Sequence, residues 1–540
     1  MKDVQLSPAP ARTLTVLRRR LQQPAQTRSK LVSCVECCYH YSIMDEAKLD
    51  GDLSRQSLER RSVQGVALSL CAQGMRFLLQ FLSQILLARL LIPADFGLVA
   101  MAVPVLTLAQ TIGELGLAQA VIQRATLTKA DMSLLFWLGI LINVGLAVLM
   151  LTTAPMVALF YGQPRLTAVL AVFAGMLVLN GIAAQHMAIM ARQMRFARMA
   201  VIDVACLLAA VAAGISSALA GLGYWSLVVM QVSNIAVIAL LASILSGWRP
   251  SLPARASGVR SMLAFGAHLT GYNLVTYAGS NLDSVLIGAM SGSVGLGFYD
   301  RSMKLIVTPL WQLSMPLARV ATGLLSRLQT VPADYRRAYL AMLRGLLVAT
   351  APGFACGALM AGTLVPAVLG PQWVDAAPVV AWLCASAILV PFGVSAFWLF
   401  VSQARVQAQL RWACIRTGLS LAALVIGLHW GIIGVAAAYA VTSPLVQGSM
   451  VWGATRQGAV RLQDIAIGTY PILLCTAIGT MMAYWSADWL PIPNPFAKLL
   501  ASLVVIYATG TASLLCFPAG IALIRDVATA RHALRRAAPT

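Results

Sequence analysis

Seven ionisable residues stand inside stretches that are otherwise apolar enough to cross a bilayer. They are Arg76, Glu114, Asp283, Asp300, Arg301 and Lys304, with Asp203 near the end of its span. A charged side chain at mid-bilayer costs about 2.5–3.5 kcal/mol on insertion scales, so each needs a partner or a water-filled cavity. Arg301 and Lys304 are three apart and share a helix face. Two cations on one face suit a phosphate or pyrophosphate, which arginine binds bidentately and lysine as a point charge. A turn near Gly292 puts Asp283 nine residues before it and Arg301 nine after. Both then lie roughly 12 Å deep at 1.5 Å per residue. Around the first hairpin, Arg76 and Glu114 are about 18 and 20 residues from the turn, so they too are level within about one helical turn.

Three readings of these charges stay open. They form two structural ion pairs; or the basic groups line a cavity for an anionic ligand while a carboxylate, Asp283 or Glu114, titrates; or they snorkel to lipid headgroups, which suits Lys304 better than Arg301. On the second reading Arg76, Arg301 and Lys304 line the cavity, and His268 in GAHLTGYN, near Asn273, adds a hydrogen bond. His186 and His429 read as packing residues. Covalent chemistry has no motif here: no glycine loop ending in Lys-Ser/Thr, no metal-ligand pair, no nucleophile beside a base. No cofactor or metal is expected, and work across the membrane would draw on an ion gradient or on the ligand's own.

The elements that must hold these groups follow from composition. Of 540 residues, 59% are hydrophobic and 11% charged, with mean hydropathy +0.80. A soluble domain carries about 25% charge, so the chain is an integral membrane protein. Its net charge of +21 does not point to nucleic acid, because the basic residues fall between apolar spans, the pattern that orients membrane proteins. Seven of the ten cysteines lie in apolar spans and act as small apolar residues. Cys34, Cys37 and Cys38 have a metal-like spacing without a matching second cluster.

A spanning helix needs about 20 apolar residues. Fourteen windows qualify, near 64–91, 97–122, 133–160, 166–190, 200–220, 224–246, 262–290, 294–325, 341–368, 378–402, 410–429, 432–453, 466–486 and 499–523. Every second loop is basic, from Arg124 and Lys129 through Arg192–Arg198, Arg249–Arg260, Arg319–Arg344, Arg405–Arg416 and Arg456–Arg461 to the tail. The opposite loops hold only Arg89, Arg165 and Lys498 at their edges. Both termini are therefore expected in the cytoplasm. The outer loops are short, the longest running from about Ala487 to Ala497, which leaves no room for an outer catalytic domain. Residues 1–62 hold no spanning segment and no cleavable signal, and read as a disordered cytoplasmic extension. A start at Met44, with the upstream part an over-extended reading frame, is the alternative.

The chain also echoes itself. DFGLVAM near the second span is answered by GLGFYDRS near the eighth, LFYGQPRL at 159–166 by VLGPQW at 368–373, and GLGYWSL at 221–227 by WGIIGVAAAYA at 430–440. The separations are close to 200–210 residues, with an even number of spans between partners, so the halves form a parallel repeat. The expected organisation is an N-lobe over 63–246, a basic cytoplasmic linker at 247–261, a C-lobe over 262–455, two further helices within 456–525 and a tail at 526–540. Ligands of such repeats bind at the interface between halves.

The stretches LARLLIPADFGLVAM, ELGLAQAVIQR and QHMAIMARQMRF resemble the polysaccharide transporters of the multidrug/oligosaccharidyl-lipid/polysaccharide exporter superfamily, nearest its Wzx-like branch with colanic-acid-type exporters. HLTGYNLVTYAGSNLDSVLIG, GLGFYDRSMKLIVTPLWQLSMPLARV, LGPQW and LFVSQAR extend the likeness over roughly residues 63–460. The resemblance implies fourteen helices in two six-helix lobes plus two C-terminal helices. It implies alternating access that flips undecaprenyl-pyrophosphate-linked oligosaccharide units across the bacterial inner membrane, for exopolysaccharide or lipopolysaccharide synthesis. Asp283 in SNLD, and Arg301 and Lys304 in YDRSMK, fall on positions that the family pattern keeps. That pattern often has arginine where Ser280 and Ala289 stand, so this chain lacks two basic groups. Implied partners are the lipid-linked oligosaccharide, membrane lipids, H+ or Na+ as coupling ion, and other polysaccharide-assembly membrane proteins. The alternatives are a multidrug/cation antiporter of the same superfamily, disfavoured by the surplus of Arg and Lys, and a membrane polymerase or ligase, disfavoured by the short outer loops.

Overall fold

The computed structural model describes residues 74, 76–114, 121, 128–193, 195–252, 259–489 and 494–515. The expected N-terminal extension, with Cys34, Cys37, Cys38 and Met44, and the C-terminal tail lie outside the described residues. From Phe77 onward the chain is one compact unit; the segment ending at Arg76 is a separate one.

The described residues contain helices and no strands. Helix α1 covers residues 76–90. It is followed by α2 (Pro93–Glu114), α3 (Lys129–Tyr161), α4 (Arg165–Arg192), α5 (Phe196–Leu219), α6 (Trp225–Leu245), α7 (Val259–Arg327), α8 (Pro332–Leu359) and α9 (Ala361–Val368). After a 3₁₀ turn at Pro371–Ala376 come α10 (Ala377–Ala387), α11 (Val390–Ser402), α12 (Val406–Leu428), α13 (Gly431–Thr455), α14 (Leu462–Trp489) and α15 (Pro495–Leu515). Among the described residues, twelve spans are long and apolar enough to cross a membrane. The expected seventh and eighth spans are the two arms of α7, separate helices that meet at a non-helical Gly292 (φ 69°, ψ −173°), where the turn was expected. The expected ninth is α8 continued by α9. The tenth is α10 and α11, where Pro391 at the start of α11 lacks the N–H that would carry the ladder across the join.

Local chemistry sets the ends. Thr128 opens α3 with a reciprocal cap: its hydroxyl accepts from the Asp131 N–H at 3.1 Å, and the Asp131 carboxylate accepts from the Thr128 N–H at 3.0 Å. The echoed turns share a device as well. Gly162 closes α3 in the left-handed region (φ 63°), and its counterpart Gly370 also has positive φ (112°).

Helix α2 packs along α7, joining the first half of the chain to the second; α3 packs on α4 and α5 on α6. In the second half α12 lies on α13, α10 and α11 lie against α13, and α8 and α15 both lie against α14. One buried core runs through both halves, taking Leu87, Phe96, Leu166 and Phe173 from the first and Trp373, Val380, Leu424 and Val435 from the second. It sits at the end where Gly162, Gly370 and Gly431 turn the chain. At the opposite end the cores separate. Met190, Ile202 and Ala242 belong to the first half alone, and Leu325, Tyr339, Phe400 and Val451 to the second. Outward-facing positions stay apolar, as with Leu141, Val148 and Leu159 on α3. In water such a surface would be an aggregation liability; in hydrocarbon it is the solvated face.

The separated end is also the arginine-rich end, and its arginines work as helix caps. Arg195 and Arg198 donate to the carbonyls of Ser246 (2.9 Å) and Leu245 (2.7 Å) at the end of α6. Arg405 donates to Ala454 (2.9 Å), Gln457 (2.7 Å) and Gly453 (3.2 Å) at the end of α13. Terminal carbonyls have no partner within their own helix, and a cation suits the negative end of the dipole.

Candidate functional site

The site is built where α2 crosses the second arm of α7. A Cβ on Gly97 would lie 1.6 Å from the Ser293 carbonyl oxygen, and one on Gly297 would lie 2.1 Å from that of Pro93. Only glycine allows backbones this close, and these two belong to the echoed segments DFGLVAM and GLGFYDRS. The crossing brings Phe96 and Phe298 edge-on to Trp373, at centroid distances of 5.4 and 6.0 Å. Trp373 Nε1 donates to the Ala88 carbonyl at 2.7 Å. Gln372 Nε2 donates to those of Ala88 and Arg89 at 2.9 and 3.1 Å. Arg89 answers by donating to the carbonyls of Val368 (3.1 Å) and Ala367 at the end of α9. The last carbonyls of α1 and α9 are thus satisfied reciprocally across the two halves.

Arg301 lies beside this crossing and is buried at 8% exposure. Its Nε and Nη2 donate to Asp300 Oδ2 at 3.1 and 2.8 Å, its Nη1 donates to Gln84 of α1, and its guanidinium lies 4.3 Å from the Phe96 ring centroid. Lys304 Nζ reaches Asp300 Oδ1 at 2.9 Å. One carboxylate between two cations leaves the cluster at net +1. A cavity of about 130 Å³ opens beside it, lined by Gln80 and Gln84 of α1 and by Arg301, Lys304 and Thr308 of α7. The Lys304 side chain is 46% exposed. Three of the five guanidinium N–H groups are used within the described residues, and the half-exposed Lys304 ammonium, paired with Asp300, lines the same cavity, so an entering anion meets a net cationic wall.

Asp283 does not pair with Arg301 as its depth suggests. Its carboxylate accepts from the Tyr299 hydroxyl at 3.1 Å and from the Ser284 N–H at 2.8 Å. The reason is azimuth. Tyr299 and Arg301 are two residues apart, about 200° around a helix, so the arm that turns Tyr299 toward Asp283 turns Arg301 toward α1 and α2. Asp283 instead lines a cavity of about 240 Å³ in the second half, with Tyr299, Tyr439, Thr442, Ser443 and Gln447. The partner of Arg301 is its neighbour Asp300, and the spacing of Asp300 to Lys304 was the sequence signal for it.

Glu114 ends the described part of α2 on a third cavity, of about 330 Å³, within the first half. Arg76, at the start of α1, is exposed and belongs to a different unit from Glu114, so their pairing stays an expectation. His268 and Asn273 lie on the first arm of α7, and their side chains lie outside the described residues. His186 is buried, its Nδ1 2.9 Å from Ser246 Oγ and its ring edge-on to Phe136 and Trp248, the packing role expected of it. Gln84, Phe96, Tyr299 and Tyr439 carry no pattern that marks them in sequence; only the meeting of α1, α2, α7 and α13 does.

The sequence profile of the family described as polysaccharide biosynthesis protein matches residues 86–378, and the chain belongs to that family. It is 24% identical over 463 residues to the lipopolysaccharide biosynthesis protein WzxC of Escherichia coli strain K12, covering 84% of this chain and 88% of that one. It is 25% identical over 294 residues to the teichuronic acid biosynthesis protein TuaB of Bacillus subtilis strain 168, covering 52% and 59%. Its fold is similar to that of the lipid II flippase MurJ in an inward closed conformation, with a TM-score of 0.64 at 10% identity, covering 82% of this chain and 97% of that one. It also matches an inward-facing multidrug resistance MATE family transporter, with a TM-score of 0.53 at 13% identity, covering 71% and 94%. The chain is therefore a many-span, all-helical membrane protein of polysaccharide biosynthesis.

Proposed function

We propose that this protein flips lipid-linked oligosaccharide repeat units, carried on undecaprenyl pyrophosphate, from the cytoplasmic to the outer leaflet of the bacterial inner membrane by alternating access. The observation that carries the reading is the Arg301–Asp300–Lys304 cluster, net cationic and facing a cavity between α1 and α7. A pyrophosphate loses much hydration on entering a bundle, and arginine and lysine donors offset that loss. The polyprenyl tail would stay in lipid while the head passes between the halves.

Two features support an inward-facing state. The common core seals the end with few basic residues, while the separate cores lie at the arginine-rich end, which charge bias assigns to the cytoplasm with both termini. Asp283 or Glu114 answers the H+ or Na+ gradient, each in a cavity within one half. Arg76, His268 and Asn273 remain part of the proposed substrate path. An antiporter of organic cations fits less well, because the cluster between the halves would repel its cargo.

The test replaces Arg301 and Lys304 with alanine in a strain that depends on this protein for its polysaccharide. Export should fall by at least tenfold, with lipid-linked intermediates accumulating and protein level maintained. Unchanged export at unchanged level refutes the reading.

A further inference from the structure

We infer that the arginine-rich end of α13 binds an anionic phospholipid, its phosphate on Arg456 and its acyl chain along one exposed face of the helix. Arg456 closes α13, and its guanidinium carbon lies 4.4 Å from the Trp452 ring centroid. Stacking uses the face of the guanidinium and leaves its in-plane N–H groups as donors. Among the described residues Arg456 contacts that ring and, through its backbone N–H, the Trp452 carbonyl, while its guanidinium finds no acceptor. Trp452 is 46% exposed and is held edge-on by Trp412 of α12, at a centroid distance of 5.3 Å. Trp412 in turn lies over Gly453, where an added Cβ would come within 2.2 Å of its Nε1. Glycine at 453 therefore seats the indole pair, and the pair seats the arginine.

The face continues toward the bilayer centre. Arg456, Trp452, Gly448, Leu445 and Val441 are spaced by four and three, so they share one side of the helix. Leu445 and Val441 are 65% and 69% exposed. Gly448 is exposed too, with nothing within 4 Å of an added Cβ, and so leaves a notch in this face. From Val441 to Arg456 the face runs roughly 22 Å at 1.5 Å per residue, about the depth of one leaflet with its headgroups. Cation, amphipathic ring and apolar notch thus follow the order of phosphate, ester and chain in a lipid. Charge selects the lipid class. Residues 405–461 hold five arginines and no aspartate or glutamate. Arg405 is engaged with the carbonyls that end α13, and the next carboxylate along the chain, Asp464, pairs with Arg336. A net anionic headgroup therefore gains here, whereas a zwitterionic one brings its own cation to the arginine. The inference does not rest on the export reading.

The test is lipid binding by the full-length protein in detergent micelles, read by native mass spectrometry as phosphatidylglycerol or phosphatidylcholine is titrated. Arg456→Gln keeps length and removes charge; Trp452→Leu, at an exposed position, is the second variant, should the first fail to fold. Arg337→Gln is the control, because Arg337 is another exposed arginine of the same end. The first phosphatidylglycerol should bind more tightly than the first phosphatidylcholine. Its affinity should fall about fivefold in Arg456→Gln, the weight of one arginine near a charged membrane surface. It should fall about threefold or more in Trp452→Leu, which loses the ring that seats the arginine, and stay unchanged in Arg337→Gln. Glycerol 3-phosphate, a headgroup without chains, should not displace the lipid. Four results overturn the inference: equal affinity for the two lipids, unchanged phosphatidylglycerol binding in a folded Arg456→Gln or Trp452→Leu protein, an equal fall in Arg337→Gln, or displacement by glycerol 3-phosphate.

Discussion

The Gly97–Gly297 crossing gives the sharpest mechanical prediction. Alanine at 97 would place a carbon 1.6 Å from the Ser293 carbonyl oxygen and 2.9 Å from the Gly297 nitrogen. Contact distance for such atoms is near 3.2 Å, so α2 and α7 must part by about 1.5 Å; overpacking of this kind costs about 1–3 kcal/mol. If the crossing exists only in the state seen here, the same energy shifts the conformational ratio by about 5- to 150-fold toward the alternative. Ile92 and Val374 are exposed near this end, at 57% and 51%, and accept spin labels as cysteines in a background free of the native ones. Double electron–electron resonance should show a longer separation populated in Gly97→Ala, and the control Gly145→Ala, with nothing within 4 Å of its added Cβ, should show none. An unchanged distance distribution with a lowered melting temperature would mean that the crossing is permanent and that the halves do not part there. No change in either would refute the close approach itself.

Other perturbations follow from the same contacts. Asp300→Ala strands a buried Arg301 and should cost about 3–5 kcal/mol in thermal unfolding, most of it recovered in Asp300→Ala/Arg301→Leu, which removes both charges. Trp373→Phe keeps the ring but loses the bond to the Ala88 carbonyl, and should lower stability by about 1 kcal/mol, seen as faster hydrogen exchange at the end of α1. Arg405→Gln uncaps α13, and limited trypsin digestion should then cut more readily after Arg456 while the rest of the bundle stays resistant. Tyr299→Phe frees the Asp283 carboxylate of its side-chain donor, so a carbodiimide probe of carboxyl groups should label Asp283 faster, at unchanged protein level.

Much of the architecture was readable in the chain because membrane insertion imposes strict rules. A bilayer demands runs of about 20 apolar residues with internally satisfied backbones, and charge bias orients them, so the described parts of the fourteen expected spans fall on helix. The joins were less visible. The turn at Gly292 separates the two arms of α7 where the seventh and eighth spans were expected to meet, whereas the breaks inside the ninth and tenth spans, between Leu359 and Ala361 and between Ala387 and Val390, were not foreseen, because hydropathy reads composition and not the backbone of one residue. Depth counted along that hairpin suggested Arg301 as the partner of Asp283, whereas the carboxylate meets Tyr299, since depth does not give rotation about the helix axis.

The amino-acid sequence by itself determined that this is a bundle of membrane helices, that a few charges stand within its apolar spans, and that Arg301 and Lys304 share a face, because apolar length and the 100° step per residue are local properties. Only the tertiary structure decided that Asp300 balances those cations, that Gln84 and Phe96 complete their surroundings, and that Asn143 borders the same cavity as Glu114. Such partners come from helices tens to hundreds of residues apart, brought together by glycines at the crossings, and no local pattern records which distant face will arrive.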